Sequence, residues 1–236
     1  VVKKAGFSDI SKVRIYGYGG NCQPEAIHAS YLKETDDLKE VEQCVVDGKH
    51  LFYAKGPVSY TSATVNTRTR NPYSNYGYYF ITEGDQQAAT VDSAQFAKQY
   101  YHTPDDYHSL YEVDGFAWFS GGRNLQDPNP IDNGAQRSFS ISNVANDTTG
   151  KLYVAVTAGS TTSVEVSIND SIIGTQTMRC GEYDKGSASA KTYNVYNLKP
   201  DNKVVVKTLS GGPARLDYIC LTSTQPREDY ARSGKT

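Results

Sequence analysis

KLYVAVT, residues 151–157, and SVEVSIN, residues 163–169, decide the fold class. Leu152, Val154 and Val156 occupy alternate positions of the first, and Val164, Val166 and Ile168 alternate positions of the second. A period of two marks a strand with one face in a core, because successive side chains of a strand point to opposite sides. The same texture recurs on either side, at residues 137–144, 171–178, 191–198, 203–209 and 214–222. Turn residues separate the runs at 147–150, at Asn169-Asp170 and at Pro200-Asp201-Asn202. Seven short strands at this spacing predict a β-sandwich of jelly-roll or immunoglobulin-like kind, and an all-β chain.

Upstream the strands are less regular. Residues 1–5 read as the last turn of a helix, with Gly6 as the left-handed residue beyond it. Residues 12–18 alternate as a strand, a helical turn is expected within 26–32, and 38–46 is a second strand candidate. Asp47-Gly48 is a strong hairpin signal leading into residues 51–54. Residues 58–70 are expected to be extended. The turn 71–75 then introduces the aromatic strand 76–82, YGYYFIT. Its aromatic and β-branched content places it near the middle of a sheet, with Tyr76, Tyr78 and Phe80 on one face and Tyr79 and Ile81 on the other. Residues 86–91 predict another strand and 92–101 a short helix behind Asp92. The polar stretch 103–114 is a plausible boundary, so the expected organisation is a mainly-β module 1–110, a β-sandwich 111–225 and a polar tail 226–236. Val1 enters in mid-element without an initiator Met, which suggests a piece of a longer chain.

Composition narrows the chemistry. Across 236 residues, hydrophobic residues at 38% with 21% charged exclude wholesale disorder. A net charge of −2 argues against a nucleic-acid surface, which needs a clustered basic face. No run approaches the ~20 apolar residues of a membrane-spanning helix, so insertion in a membrane by this segment is not expected.

Cys22, Cys44, Cys180 and Cys220 form no metal-binding spacing. They read either as free thiols or as two disulfides, Cys22–Cys44 and Cys180–Cys220, and four cysteines allow three pairings. Cys44 or Cys180 with His50 or His108 would supply the residue types of a cysteine nucleophile and its base, and nothing else supports that pairing. His102, Asp105, Asp106 and His108 are dense in metal ligands, but such a run is more often a solvated linker. Asp36-Asp37 can hold calcium or simply cap a turn. No cofactor is expected beyond that calcium alternative. Trp118 and the aromatics around it can stack on a sugar, and Arg123 behind Gly121-Gly122 can bind an anion. These make a carbohydrate-binding or adhesin-like sandwich the rival reading. Asn146-Asp147-Thr148 is formally an N-glycosylation triplet, and Asp92-Ser93-Ala94, Asp147-Thr148-Thr149 and Asp170-Ser171-Ile172 are similar to the O-glycosylation triplet of Bacteroidota.

Several motifs occur in a fixed order. They are KVRIYGYGG (12–20) with Pro24-Glu25 after it, Asp36-Asp37-Leu38, LFYAKGP (51–57) and NPYSNYGYYFIT (71–82). YHSLYEVD (107–114), Gly121-Gly122-Arg123 and PARLDYICL (213–221) follow. Together they resemble the non-catalytic region upstream of the protease domain in gingipain-family cysteine peptidases, above all the sortases of the Bacteroidota type IX secretion system. The resemblance covers nearly the whole chain. It implies a parent at the cell surface, outer membrane or periplasm that cleaves and transfers secreted cargo. The expected partners are a downstream protease domain, cargo and secretion components. The family's catalytic histidine precedes glycine and its cysteine follows alanine. Here His28, His50, His102 and His108 precede Ala29, Leu51, Thr103 and Ser109, and the cysteines follow Asn21, Gln43, Arg179 and Ile219. No catalytic residue is therefore assigned, and the expected role is that of scaffold.

Overall fold

The structure is a computed structural model that describes residues 3–46, 49–60, 68–92, 107–120, 124–143 and 148–223. The chain divides into two compact units, 1–60 with 68–100 and 61–67 with 101–236.

The second unit is the sandwich. One four-stranded antiparallel sheet has the order β11 (Ser171–Met178), β10 (Thr162–Ile168), β13 (Asp201–Ser210), β8 (Gln136–Ser142). The other runs β12 (Ser187–Leu198), β9 (Thr148–Ala158), β14 (Ala214–Ser223), β7 (Tyr107–Glu112). The alternating aliphatics meet between them. Leu152, Val154 and Val156 of β9 pack with Val164, Val166 and Ile168 of β10, Val204 and Val206 of β13, and Leu216, Ile219 and Leu221 of β14. Burial of this apolar surface is the main stabilising force of the unit. The β10–β11 hairpin turns through Asn169 (φ 48°) and Asp170 (φ 67°), both left-handed, as a two-residue hairpin turn requires.

The sequence-based division at residue 110 does not match this topology. β7 pairs with β14 from Tyr218↔Glu112 to Ser223↔Tyr107, so these residues belong to the sandwich. From sequence these residues read as part of a polar boundary stretch, because the partner strand lies a hundred residues away and leaves no local mark.

The first unit is built of short ribbons. β1 (Val13–Gly19) pairs with β6 (Tyr78–Glu83), β2 (Gln43–Val46) with β3 (Lys49–Phe52), and β4 (Val58–Tyr60) with β5 (Arg68–Arg70). The Asp47-Gly48 turn of the β2–β3 hairpin lies outside the described residues. A helix, α1 (Ala29–Thr35), follows β1. At the start, Lys3–Ala5 is a single 3₁₀ turn ended by Gly6 at φ 86°. Residues 86–91 contribute only a parallel bridge, Gln43↔Thr90, instead of a strand. The helix expected over 92–101 falls outside the described residues but for Asp92.

The aromatic strand departs most from expectation. Among the described residues β6 pairs with β1 alone, and Tyr76, Tyr78 and Phe80 are 70%, 67% and 62% exposed. β1, not β6, is the inner strand. Gly17 N–H donates to Lys39 O (3.0 Å) and Val41 N–H to Ile15 O (2.7 Å), so residues 39–41 line its other side. Val13 and Ile15 are accordingly the buried pair.

The glycines of the upstream motifs have a steric reason. A Cβ on Gly77 would stand 2.7 Å from both Gly20 N and Lys55 O, and one on Gly20 would stand 2.8 Å from Pro57 N. Three backbone segments thus meet at van der Waals contact, pinned by Gly20 N–H donating to Lys55 O (3.0 Å). Gly77→Ala is expected to destabilise this unit by about 1–3 kcal/mol through forced separation of backbones. Urea unfolding of wild type and variant measures it, and an unchanged midpoint would refute the contact.

Both disulfide readings fail, since all four cysteines are free. Cys180 Sγ donates to Ala158 O (3.3 Å), and Ala158 pairs with Ala214, six residues along β14 from Cys220. At about 3.3 Å per residue that is roughly 20 Å, far beyond a bridge. Residues 39–43 run antiparallel to β1, so Cys44 lies past the Val13 end and Cys22 past the Gly19 end.

Candidate functional site

The loop between β7 and β8 supplies most of the candidate site. It completes the sheet where β7 stops. Asp127 N–H donates to Leu216 O (2.8 Å), and Ile131 and Ala214 exchange bonds of 2.8 and 3.0 Å. Within the loop Gln126 N–H donates to Phe116 O (2.8 Å), which joins the described segments 116–120 and 124–126 as a flap.

Trp118 folds back from that flap onto the outer face of the sheet. Thr157, which alternates with the core residues Val156 and Ala158, accepts from the indole Nε1 at 3.0 Å. The ring lies against two glycines. A Cβ on Gly159 would be 2.5 Å from Trp118 Cζ3, and one on Gly186 would be 2.7 Å from its Cγ. Phe116 meets the indole edge to face at 5.0 Å, and the Arg215 guanidinium sits 3.7 Å above the Phe116 ring. Arg215 also donates to Asp127 O (3.1 Å) and to Pro128 O. Burial lowers its pKa, against the opposing pull of Asp127 and Asp132. Trp118 is therefore chiefly a packing residue, held by glycine backbones. The exposed aromatic is its neighbour Phe119.

A cleft of about 200 Å³ opens beside them, lined by Trp118, Phe119, Asn124, Gln126, Ser187 and Asp217, among others. Asp217 arrives there through a bulge. Leu216 pairs with Val156 and Tyr218 with Ala155, which leaves Asp217 as the extra residue. Gln126 is 4% exposed; its Nε2 donates to Asn124 O (3.2 Å), while its Oε1 has no partner. Of the residues singled out for binding from sequence, Trp118 borders this cleft and Arg123 lies outside the described residues.

Among the described residues, the candidate thiol–imidazole pair within each unit does not come together. Cys44 pairs with Leu51 and Val45 with His50, so Cys44 and His50 face opposite sides of their ribbon. His50 Nδ1 is instead 3.0 Å from Gln43 Oε1. Cys180 lies at the Ala158 end of the sandwich and His108 at the Thr222 end, about eight residues or roughly 25 Å apart along β14. Among the described residues no three His, Cys, Asp or Glu side chains gather to hold a metal. His102, Asp105 and Asp106 lie outside them, as does Asn146. Asp36 caps α1, and the Asp37 carboxylate accepts from Leu38 N–H (2.7 Å).

No protein-family model matches the sequence, and no curated protein is similar to it. Solved structures are. Over 94% of its length the chain superposes on dimeric latent PorU from Porphyromonas gingivalis, with a TM-score of 0.69 at 22% identity. The fold is PorU-like. The chain spans 22% of the PorU chain. A family 35 carbohydrate-binding module from an environmental isolate matches with a TM-score of 0.36 and 18% identity, over 51% of this chain and 88% of that one. A CBM6 module of a Zobellia galactanivorans laminarinase matches with a TM-score of 0.30 and 17% identity, over 39% and 76%. Likenesses at those scores do not establish a shared architecture.

Proposed function

We propose that the chain is a non-catalytic accessory region of an exported, gingipain-like cysteine peptidase of the type IX sortase kind. It holds a protease domain of the same polypeptide in place and offers a docking surface to cargo or secretion partners at the cell surface, outer membrane or periplasm. The ordered motifs and the PorU-like fold support the parentage. The observation that carries the docking role is the uncovered aromatic face of β6. Tyr78 and Phe80 line one side of a two-stranded ribbon, and Tyr76 just before β6 continues the patch, with the Tyr76 and Tyr78 ring centroids 6.5 Å apart. Tyr16, which pairs with Phe80, extends the patch across to β1, with the Arg14 guanidinium 5.4 Å from its ring. Contiguous exposed aromatics of this kind mark an interface, and aromatics with arginine are the side chains that dominate binding energy at interfaces.

The test is a full-length parent protein carrying Tyr76→Ser, Tyr78→Ser and Phe80→Ser together. Cargo processing is expected to fall about tenfold or more, the effect of losing one or two interface anchors. The thermal midpoint of the separate segment should be unchanged, because all three side chains face solvent there. Unimpaired processing would overturn the docking role.

A further inference from the structure

β6 stands at an open edge, and the pairing of β1 shows which of its backbone groups are left over. Ile15 and Gly17 of β1 turn theirs to residues 39–41, where Ile15 O accepts from Val41 N–H and Gly17 N–H donates to Lys39 O. Backbone groups alternate sides along a strand, so Arg14 and Tyr16 bond to β6, and Arg14↔Thr82 and Tyr16↔Phe80 are the hydrogen-bonded pairs. Gly84 N–H donating to Lys12 O (3.1 Å) continues the same series. Tyr79 and Ile81 therefore turn their N–H and C=O groups away from β1. Among the described residues no other strand runs beside β6, and these groups have no backbone partner. Edges of the sandwich are interrupted by contrast. β11 has an extra residue at Ile173, and β12 carries Lys191 and a register shift between Val195 and Leu198. Residues 78–81 have no charge, no proline and no bulge. Such an edge is a template for a further strand, and its composition is that of an inner one.

From these observations we infer that β6 takes up an extended peptide segment as a third strand of the ribbon, bonded to the backbone of Tyr79 and Ile81. Every second side chain of the segment is apolar and lies beside Tyr78 and Phe80. In strand addition the main-chain bonds supply affinity and the alternate side chains supply selectivity. Those alternate positions are uncharged, because β6 offers no countercharge before Glu83. A second copy of the chain fits the edge less well. The six residues of β6 rise about 20 Å, and an edge contact of that length and about 10 Å height buries roughly 400 Å² in total. A stable interface between folded proteins needs about 1,000 Å² or more, whereas smaller contacts suit a segment that is bound and released. As to source, the inference rests on the docking role proposed above: the segment is one of the cargo's.

The experiment selects peptides of about ten residues, enough to span the edge, from a phage-displayed random library on the immobilised protein. Synthetic copies of the enriched sequences are then measured in solution by calorimetry. Peptides with apolar residues at alternate positions are expected. N-methylation of one alternate set of their amides should weaken binding about tenfold or more, as loss of the bonds to the edge implies, while methylation of the other set should leave it unchanged. Ile81→Pro removes an outward N–H without touching a bond to β1, and it should weaken binding too. Should that variant fail to fold, the methylated peptides still decide. No enriched peptide, or equal sensitivity or equal indifference to the two methylated sets, would sink the inference. So would self-association of the protein that Ile81→Pro abolishes, which would seat a second copy on the edge. The docking role fails separately. If one methylated set loses binding while serines at 76, 78 and 80 leave cargo processing intact, strand addition stands and cargo docking does not. If the serines impair processing and neither set matters, docking stands and strand addition falls.

Discussion

Arg137→Ala is expected to destabilise the sandwich by about 3 kcal/mol, because it strands a buried carboxylate. Asp127 is 1% exposed. Its oxygens meet the guanidinium as a fork, Arg137 Nη1 at 2.9 Å from Oδ1 and Nη2 donating to Oδ2 at 3.1 Å, and Oδ1 also accepts from Asn129 N–H at 2.8 Å. Arg137 itself is about a quarter exposed, which puts the loss at the lower end of the 3–5 kcal/mol seen when a buried pair is broken. Burial raises the pKa of Asp127, but the hydrogen bonds from Arg137 and Asn129 outweigh it and hold the carboxyl below its ordinary 3.8. The folded value is thus depressed. Its stabilisation is complete above the unfolded value near 3.9 and fades as pH falls through the folded one. In the variant burial is opposed only by the Asn129 amide and the more distant pull of Arg215, so the neutral acid becomes less costly. Wild type and Arg137→Ala should therefore differ most near pH 7 and converge toward pH 3. Arg137→Lys keeps the charge without the fork and should recover part of the loss. Chemical denaturation at a series of pH values decides this, and a gap that stays constant would count against the ion pair. The pair also fixes the flap, since the residue before Asp127 is the Gln126 of the cleft.

The alternation of Leu152, Val154, Val156 and of Val164, Val166, Ile168 was enough to read the sandwich, because each strand carries its own record of which side is buried. Pairing partners leave no such record, which is why residues 107–110 read as belonging upstream of the boundary. β6 shows the same limit in another form. Its composition is that of a buried strand, yet period two cannot tell a core face from an interface face. Trp118 and its neighbours stood out in the sequence, whereas Gln126 and Asp217 did not. One signal for Asp217 was present: the core residues of β14 step from Leu216 to Ile219, three places where alternation requires two, and a bulge is the usual cause. For Gln126 there was none. Its significance is an absent hydrogen bond, and only coordinates reveal that.

The second large effect concerns the indole itself. Trp118→Ala is expected to cost about 3 kcal/mol, since it empties a site enclosed by Phe116 and two glycine backbones. Gly186→Ala should cost about 2 kcal/mol for the opposite reason. The added methyl would lie 2.7 Å from Cγ, 2.8 Å from Cδ1 and 3.1 Å from Cβ of Trp118, at the base of the side chain, where only a rotation that swings the whole indole away relieves it. The far edge of the ring is also closely backed, since a Cβ on Gly159 would stand 2.5 Å from Cζ3. The indole must then leave Thr157, and its emission should shift to the red as water reaches it. The two substitutions share one space, so their effects should not add. In a Trp118→Ala background Gly186→Ala should cost much less, because Cγ and Cδ1 are gone and only the 3.1 Å approach to the remaining Cβ persists. A full destabilisation by Gly186→Ala in that background would mean that the backbone near residue 186, and not the fit against the indole, demands glycine. The packing role assigned to Trp118 depends on the cycle closing the first way.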